Sequence, residues 1–356
     1  MNATLDSISE CIPSRITVNG GFMAVTWLQA PGDKLEEPFY YQTLEKLSKQ
    51  NAIKVETDLE VLDLLAEQPE VNTPSAFIFQ MSRCGSTLLT NALRSINNSM
   101  CICEAEIITQ LLRPDSQIEW LQPNCAEIDI SEREKLDWEN KRALRLRGVI
   151  NFFGKRARST HSRFFIKFTS WSVLFIQTIK SIFPDVPCWF VYRNPLEVMV
   201  SNLERHPRWW SLRSTPEQCQ SYFGWDRKTI ESFSDEEFCA HCLAAFCTSV
   251  LNAIDEQTLL LRYERIDARL IHEIAARLGS RSEIDTRMLQ EILTSYSKDR
   301  TGREEFVADG ESKRQRASIA AQNCEKTILR TVVNRLDQLE CLQLKSNQST
   351  DTLQIK

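Results

Sequence analysis

The apolar positions from about residue 75 onward form short continuous runs, and stretches with helical spacing lie between them. Short runs bounded by polar residues are typical of buried strands. Strands that alternate with helices predict an α/β domain with a central, largely parallel sheet flanked by helices. We assign this domain to residues 74–344. The predicted strands are residues 77–81, 100–103, 163–168, 188–192 and 258–263.

Residues 1–73 have a different pattern and predict a small α+β appendage. Apolar residues over 16–18 and 22–27 flank Asn19-Gly20-Gly21, which is a hairpin signal, and two helical stretches follow. The turn formers Asn72-Thr73-Pro74 make a natural boundary. The polar segment 345–356 is expected to be a disordered tail.

Composition and charge narrow the function classes. Of the 356 residues, 42% are hydrophobic and 26% are charged, as is ordinary for a soluble globular protein. The net charge of -5 argues against a nucleic-acid binder, which usually has a basic domain. The N-terminus lacks the features of a secretory signal, and no run reaches the roughly 18 apolar residues of a membrane helix. We therefore expect a cytoplasmic protein without a membrane span.

The 12 cysteines are scattered along the chain, and in a reducing compartment most of them should be buried thiols. Cys239, His241 and Cys242 could supply three metal ligands, but no second cluster has suitable spacing. We therefore expect no metal site.

One turn contains the first candidate chemistry. The run 77–81 breaks at residues 82–85 and continues into a helical pattern. Such a turn presents backbone N–H groups at a helix N-terminus, where an anion binds well. Arg83 adds a charge there, and Ser86 and Thr87 add hydroxyls. Gly85 is one of only 10 glycines and indicates a close approach of the backbone, for which phosphate is the first candidate. The alternative is an ordinary strand-to-helix turn.

This turn does not match the common nucleotide-binding loops. A Walker A loop needs a glycine five residues before Gly85 and a lysine directly after it, and the chain has Gln80 and Ser86 there. The turn is not a G-x-G-x-x-G loop either. A nucleoside triphosphate is therefore not the first choice of ligand.

Further polar residues follow the other predicted strands. Ligands of parallel α/β sheets gather at the carboxyl ends of the strands, where the chain has Glu104, Lys167, Arg193 and Tyr263. Ser201 lies eight residues after Arg193, so both could bind one anion from a helix. The turn and this pair predict two anion sites, as a nucleotide with a 5′-phosphate and a 3′-phosphate would need.

Three motifs together resemble those of sulfotransferases. Residues 82–89 (SRCGSTLL) resemble the 5′-phosphosulfate loop, in the arginine form seen in tyrosylprotein and bacterial glycolipid sulfotransferases. Residues 191–201 (VYRNPLEVMVS) resemble the 3′-phosphate motif, and residues 262–266 (RYERI) resemble the Tyr-Glu-Asp-Leu stretch. The resemblance spans about residues 75–320 and implies a P-loop-like three-layer fold that binds 3′-phosphoadenosine 5′-phosphosulfate. The nucleotide-binding residues it implies are Arg83, Cys84, Gly85, Ser86, Thr87, Leu88, Arg193, Ser201, Tyr263, Lys313 and Arg314.

The resemblance also implies catalytic roles. Glu104 matches the glutamate that acts as base in tyrosylprotein sulfotransferases, and Glu106 is its competitor. Lys167 matches the family lysine upstream of the 3′-phosphate motif, and with Arg83 it would stabilise the leaving phosphate. Cytosolic small-molecule sulfotransferases instead use a histidine in a Ser-His-Leu-Pro-like context, which this chain lacks. They also have lysine in place of Arg83 and tryptophan in place of Leu88, so the glutamate branch fits better.

The implied activity is transfer of a sulfuryl group to a hydroxyl of a small molecule, glycolipid or phenol, without a metal. The aromatic-rich segment 206–225, predicted to be an irregular loop, and the appendage would shape the acceptor pocket. The appendage could equally be a lid or the contact of a homodimer. One alternative is a catalytically degenerate nucleotide-binding regulatory or scaffold protein, and a weaker one is a P-loop kinase. A pure binder does not need the Glu104/Lys167 pair, which favours the enzyme.

Overall fold

A computed structural model describes residues 2–19, 22–32, 35–69, 72–113, 132–160, 163–279, 283–295 and 309–353. The appendage is built on three antiparallel strands: β1 (Cys11–Asn19), β2 (Phe22–Gln29) and β3 (Lys54–Asp58). They pair in the order β1-β2-β3. The hairpin expected around residues 19–21 is confirmed, because Asn19 at the end of β1 pairs with Phe22 at the start of β2.

Five parallel strands form the central sheet of the domain. They are β4 (Ala76–Gln80), β5 (Ser99–Cys103), β6 (Arg163–Lys167), β7 (Cys188–Tyr192) and β8 (Thr258–Arg262). Their order is β5-β6-β4-β7-β8, so the first strand of the domain lies in the middle. Every residue of β4, β5 and β7 is buried, as expected of strands with both faces covered. The α/β fold with a parallel central sheet is confirmed.

Helices connect and cover the strands. Several begin at capping side chains: Asn194 accepts from the N–H groups of Leu196 and Glu197, and Ser234 accepts from that of Glu237. The helices are α1 (Asn2–Ser7), α2 (Tyr40–Lys49), α3 (Glu60–Ala66), α4 (Ser86–Leu93), α5 (Glu106–Leu112), α6 (Glu132–Thr160), α7 (Ile176–Ile182), α8 (Pro195–Glu204), α9 (Pro216–Phe223), α10 (Arg227–Ser232), α11 (Asp235–Ala253), α12 (Ala268–Arg277), α13 (Thr286–Thr294), α14 (Gly310–Gln315), α15 (Ile319–Cys324) and α16 (Arg330–Leu353). Short 3₁₀ segments cover Ser170–Phe175, Arg208–Ser214 and Tyr263–Arg265.

Two segments differ from what the sequence pattern predicts. Residues 206–225, predicted to be an irregular loop, contain a 3₁₀ segment and helix α9. Trp209 anchors them, since its buried ring packs 5.8 Å from that of Phe246. Helix α16 continues to Leu353, into the segment predicted to be a disordered tail. The first half of this helix is held in place because Asp337 accepts a hydrogen bond from the Tyr192 hydroxyl at 2.9 Å. Once a helix has formed, adding a residue does not repeat the unfavourable nucleation step, so the helix can continue into the polar segment.

The appendage is joined to the domain by polar contacts as well as packing. The side chain of Gln110, in α5, accepts from the Ile16 N–H at 2.8 Å and donates to the Ile16 carbonyl at 3.1 Å. These two bonds occupy backbone groups at the free edge of β1, and they hold the appendage against α5, the helix that follows β5. Within the described residues no helix is long and apolar enough to cross a membrane.

Candidate active site

A pocket of about 450 Å³ opens at the carboxyl ends of the central strands. The residues predicted from the sequence meet there, although they come from separate parts of the chain. Two of the predicted residues do not line the pocket: Lys167, which pairs with Glu104, and Arg314, which pairs with Glu197. Of the predicted residues, the lining includes Arg83, Cys84, Gly85, Ser86, Thr87, Leu88, Glu104, Arg193, Ser201, Tyr263 and Lys313.

The turn between β4 and α4 has a strained backbone. The φ angles of Ser82, Arg83 and Gly85 are 85°, 45° and 88°. Residues with a side chain rarely adopt such values, and strain of this kind is concentrated at functional sites. A Cβ atom on Gly85 would lie 2.6 Å from Cε2 of Tyr263. The close approach that the sequence predicts at Gly85 is therefore an approach to the Tyr263 ring, which holds the turn in place.

Side chains fix this turn from within the protein. Ser86 Oγ donates to Gln80 Oε1 at 2.6 Å, and Ser82 Oγ donates to Asn202 Oδ1 at 3.0 Å. The Cys84 thiol donates to the Val191 carbonyl at 3.0 Å. Burial raises the pKa of this thiol to about 11, so it remains protonated and structural.

Arg83 extends from the turn toward the end of α8, where its Nη2 donates to the Arg205 carbonyl at 2.7 Å. A guanidinium has several donors in a planar fork. The Arg83 guanidinium is therefore held through Nη2 by the Arg205 carbonyl, and the Arg83 side chain also lines the pocket.

Glu104 and Lys167 form a pair at the ends of neighbouring strands. Cys103, the last residue of β5, is in register with Lys167, the last residue of β6. Glu104 follows in a left-handed conformation with φ 59°, and its N–H donates to the Lys167 carbonyl at 2.7 Å. Lys167 Nζ lies 2.9 Å from Glu104 Oε1 and donates to Thr87 Oγ1 at 3.2 Å. The ammonium thus links the carboxylate to the turn that the sequence predicts to bind an anion.

The pair is largely removed from water. The Lys167 side chain is 0% exposed and that of Glu104 is 25% exposed. A buried ammonium requires a partner, which Glu104 supplies. Glu104 Oε1 also accepts from Gln80 Nε2 at 2.9 Å. Among the described residues no hydrogen bond reaches Oε2 of Glu104, so this oxygen can accept a proton from a ligand in the pocket.

Arg193 lies at the second predicted anion site. Its Nε lies 2.7 Å from Glu197 Oε2, and its Nη2 lies 3.7 Å from Asp309 Oδ1. The guanidinium is 4.2 Å from the centroid of the Tyr263 ring, which is a cation–π distance. Tyr263 thus contacts both predicted anion sites: the turn through Gly85 and the second site through Arg193.

The basic segment 298–316 reaches the same place through Lys313 and Arg314. Lys313 Nζ lies 2.7 Å from Asp309 Oδ2, and Arg314 pairs with Glu197. Helix α14 therefore brings Lys313 and Arg314 to Asp309 and Glu197, the two carboxylates that also lie against Arg193. Residues 296–308, which include the first part of this basic segment, lie outside the described part of the chain.

The pocket is electropositive in a chain of net charge -5. Its described lining has six arginine and lysine side chains and three carboxylates. Clustered charge of one sign in a cleft attracts ions of the other sign. The cations are Arg83, Arg193, Arg205, Arg208, Lys313 and Arg316, and the carboxylates are Glu104, Glu204 and Asp309.

Three further residues line the pocket that the sequence analysis does not single out. Phe39 of the appendage lines the pocket, as do Gln80 and Asp309. Gln80 is the last residue of β4, whereas the sequence pattern predicts that this strand runs to residue 81. Phe39 and Asp309 belong to segments far away in sequence, so only the fold brings them to the site.

Cys239, His241 and Cys242 lie together on helix α11. Burial raises the pKa of Cys242 well above its ordinary value, as expected of a packed thiol. Within the described residues no group of three or more His, Cys, Asp or Glu side chains could hold a metal ion.

Several solved structures that are similar to this chain are sulfotransferases. The sulfotransferase STF1 from Mycobacterium tuberculosis is 14% identical, and the match covers 75% of this chain and 81% of that chain with a TM-score of 0.36. A sulfotransferase from Alicyclobacillus acidocaldarius is 14% identical over 76% of this chain and 96% of its own, with a TM-score of 0.39. The sulfotransferase domain from the Synechococcus PCC 7002 olefin synthase is 14% identical over 73% and 96%, with a TM-score of 0.39.

No family model matches the chain, and no curated protein matches it in sequence. At 14% identity and TM-scores below 0.4 the solved structures define no activity, so a function for this chain has to follow from its own residues.

Proposed function

We propose that the chain is a sulfotransferase that moves a sulfuryl group from 3′-phosphoadenosine 5′-phosphosulfate to the hydroxyl of an acceptor. The observation that carries this proposal is the Lys167 ammonium, which lies 2.9 Å from Glu104 and 3.2 Å from Thr87 of the anion-binding turn. A proton acceptor and a cation thus lie together beside a site for phosphate.

The residues fit a nucleotide with two separate phosphates. The turn at Arg83 offers a guanidinium and the first N–H groups of α4 to the 5′-phosphosulfate. Arg193, Lys313 and the hydroxyl of Ser201 line the same pocket and would bind the 3′-phosphate. The carboxylates of Glu197 and Asp309 now lie against these cations, which is where an incoming phosphate would compete.

The bound nucleotide supplies an activated sulfuryl group, whose sulfur bonds to the acceptor oxygen while its bond to the 5′-phosphate oxygen breaks. Oε2 of Glu104 would take the proton of the acceptor hydroxyl while the hydroxyl oxygen bonds to sulfur. Lys167 would exchange its bond to Thr87 for one to the departing phosphate oxygen, which takes the electron pair. The products are a sulfate ester and 3′-phosphoadenosine 5′-phosphate.

Most of the rate would come from positioning and charge stabilisation, as in phosphoryl transfer. Lys167, Arg83 and the N–H groups of the turn are preorganised donors for the charge that develops on the leaving group. Loss of one such donor typically lowers kcat by about 10²- to 10³-fold. Lys167→Met should therefore lower kcat by that amount.

The test is to incubate the protein with radiolabelled 3′-phosphoadenosine 5′-phosphosulfate, with phenols, alkyl alcohols and a glycolipid as acceptors, and to follow the label. When no acceptor is added, release of free sulfate measures transfer of the sulfuryl group to water and gives a second measure of activity. The proposal predicts label transfer or sulfate release by the wild type, and rates about 10²- to 10³-fold lower for Lys167→Met. Tight nucleotide binding with neither activity would indicate a degenerate binding protein, and Mg²⁺-dependent ATP binding would indicate a kinase.

A further inference from the structure

We propose that Phe39 of the appendage is a positioning residue of the active site, which covers the Lys167 ammonium and keeps water from the Glu104/Lys167 pair. The inference rests on the proposed sulfuryl transfer and gives the appendage a part in it. Among the roles that the sequence leaves open for the appendage, it selects a wall of the reaction site.

The Phe39 ring lies against the ammonium. Lys167 Nζ is 4.6 Å from the centroid of this ring, within the roughly 6 Å range of a cation–π contact. An ammonium has three N–H donors. Two are directed to Glu104 and Thr87, and the ring face takes a further direction. Because the same ring lines the pocket, it separates the buried ammonium from part of the pocket space.

The chain before Phe39 is tied to the catalytic strands. Arg94, at the end of α4, donates to the Glu37 carbonyl at 2.9 Å and to the Cys101 carbonyl at 3.1 Å. One guanidinium therefore joins the segment that leads to Phe39 with the strand that leads to Glu104. Any movement of the appendage at this point would move both together.

The chain after Phe39 is tied as well. The Phe39 N–H donates to Gln42 Oε1 at 3.0 Å, which caps the start of α2. The buried Tyr40 hydroxyl donates to the Pro13 carbonyl at 2.8 Å. Ties on both sides of one residue hold its ring in a fixed position, as a positioning role requires.

An apolar cover has two consequences for the reaction. It lowers the local dielectric, so that the charges of Glu104 and Lys167 act more strongly on each other and on the leaving group. It also excludes water, which would otherwise take the sulfuryl group in place of the acceptor and release free sulfate. Loss of the ring should therefore lower kcat and raise the ratio of hydrolysis to transfer.

Four variants separate these effects from folding. Phe39→Ala removes the cover and should lower kcat on the order of tenfold, while KM for the nucleotide stays within about twofold, because other residues bind the phosphates. Phe39→Leu keeps an apolar cover without a π face and should fall between. Phe39→Tyr keeps the ring and should retain activity. Thr57→Val, the control, removes a hydrogen bond of the same appendage that does not hold Phe39, the one from the Trp27 indole N–H to Thr57 Oγ1 at 2.8 Å.

A second measurement does not depend on activity. An amine-reactive acylating reagent should label Lys167 slowly in the wild type and in Phe39→Tyr, and several-fold faster in Phe39→Ala, as read by mass spectrometry. Lys54, whose side chain is 53% exposed, serves as the reference that labels equally in all variants.

The outcomes are distinct. Slow labelling of Lys167 in Phe39→Ala, or an unchanged ratio of hydrolysis to transfer in that variant, would overturn the inference. Equal loss of kcat in Phe39→Ala and Thr57→Val would also overturn it, because the effect would then be general to the appendage. If the wild type transfers no sulfuryl group while the labelling of Lys167 changes as expected, the proposed function is wrong, but the conclusion that Phe39 shields Lys167 from solvent is supported.

Discussion

Glu104 and Lys167 lie 2.9 Å apart, at the ends of two neighbouring parallel strands. The register of β5 and β6 sets this distance, because Cys103 pairs with Lys167 and Glu104 directly follows Cys103. The left-handed backbone of Glu104, with φ 59°, lets its N–H bond to the Lys167 carbonyl while its side chain returns to the ammonium. Two rigid strands therefore place the candidate base against the candidate cation.

Glu104→Gln should abolish most sulfuryl transfer while the protein still binds the nucleotide. An amide cannot take the proton of the acceptor, and loss of general base catalysis typically costs about 10²- to 10⁴-fold. Steady-state transfer rates and a nucleotide titration of the same variant measure the two effects.

Glu106→Gln is the matched control for this change. Glu106 pairs with the exposed Arg208 at 2.7 Å and does not line the pocket. Its loss should leave the transfer rate within a few-fold of the wild type. If Glu106→Gln is inactive and Glu104→Gln is active, the base is Glu106 and the assignment is wrong.

Gly85→Ala should prevent nucleotide binding. The added Cβ would lie 2.6 Å from Cε2 of Tyr263, and φ is 88°, so both the ring and the turn must move. Gly279→Ala is the control, since Gly279 has φ 72° and nothing within 4 Å of an added Cβ. Both variants should lose about 1 kcal/mol or more of stability to backbone strain, measured by denaturant unfolding. A nucleotide affinity of Gly85→Ala equal to that of Gly279→Ala would show that the turn does not bind the ligand.

Asp309→Asn should tighten binding of the 3′-phosphate, by up to about fivefold. Asp309 occupies Arg193 and Lys313, at 3.7 Å and 2.7 Å, and the phosphate has to displace it. Asp255→Asn is a control of similar exposure, because Asp255 pairs with Lys180 at 2.6 Å and does not line the pocket. Calorimetric titration with 3′-phosphoadenosine 5′-phosphate compares the two. Weaker binding by Asp309→Asn alone would mean that this carboxylate holds the site in shape.

Stability should fall in alkali through the buried thiols. Burial raises the pKa of Cys188 from 9.0 to about 12. Below pH 9 this thiol is protonated in both folded and unfolded chains and adds no pH dependence. Between about pH 9 and 12 only the unfolded chain releases the proton, so the free energy of unfolding falls, by up to about 1.4 kcal/mol per pH unit for one thiol.

Urea unfolding from pH 8 to 10.5 measures this slope. Cys188→Ala should have a shallower slope than the wild type, whatever its stability at pH 8. Replacement of the exposed Cys341 by alanine is the control and should leave the slope unchanged. An equal slope in Cys188→Ala would contradict the expected protonation of the buried thiol.

Local patterns were sufficient to predict most of the central sheet and much of the candidate site. Strands such as 188–192 are apolar throughout, and the polar residues that follow them mark the end of the sheet where ligands bind. The pattern could not predict the contact between Phe39 and Lys167, because these residues are 128 positions apart and only the packing of the appendage joins them. Nor could it predict that Gly85 lies against Tyr263, since a glycine in a sequence indicates a close approach of the backbone but not which residue approaches it.

The segment 206–225 illustrates a different limit. Its prolines and aromatic residues indicate turns when only local preferences are considered. The buried ring of Trp209 packs on helix α11, and this tertiary contact outweighs the local preference and stabilises helical turns.

The central claim is that one pocket binds a nucleotide with two separate phosphates, and titration of unfolding stability with 3′-phosphoadenosine 5′-phosphate tests it most directly. The wild type should bind with about micromolar affinity, and ligand at 100 times Kd should raise the free energy of unfolding by about 2.7 kcal/mol. Arg193→Ala should lose this response, whereas replacement by alanine of Arg269, an arginine outside the pocket that is 81% exposed, should keep it. Stabilisation by ATP with Mg²⁺, and none by 3′-phosphoadenosine 5′-phosphate, would contradict the account.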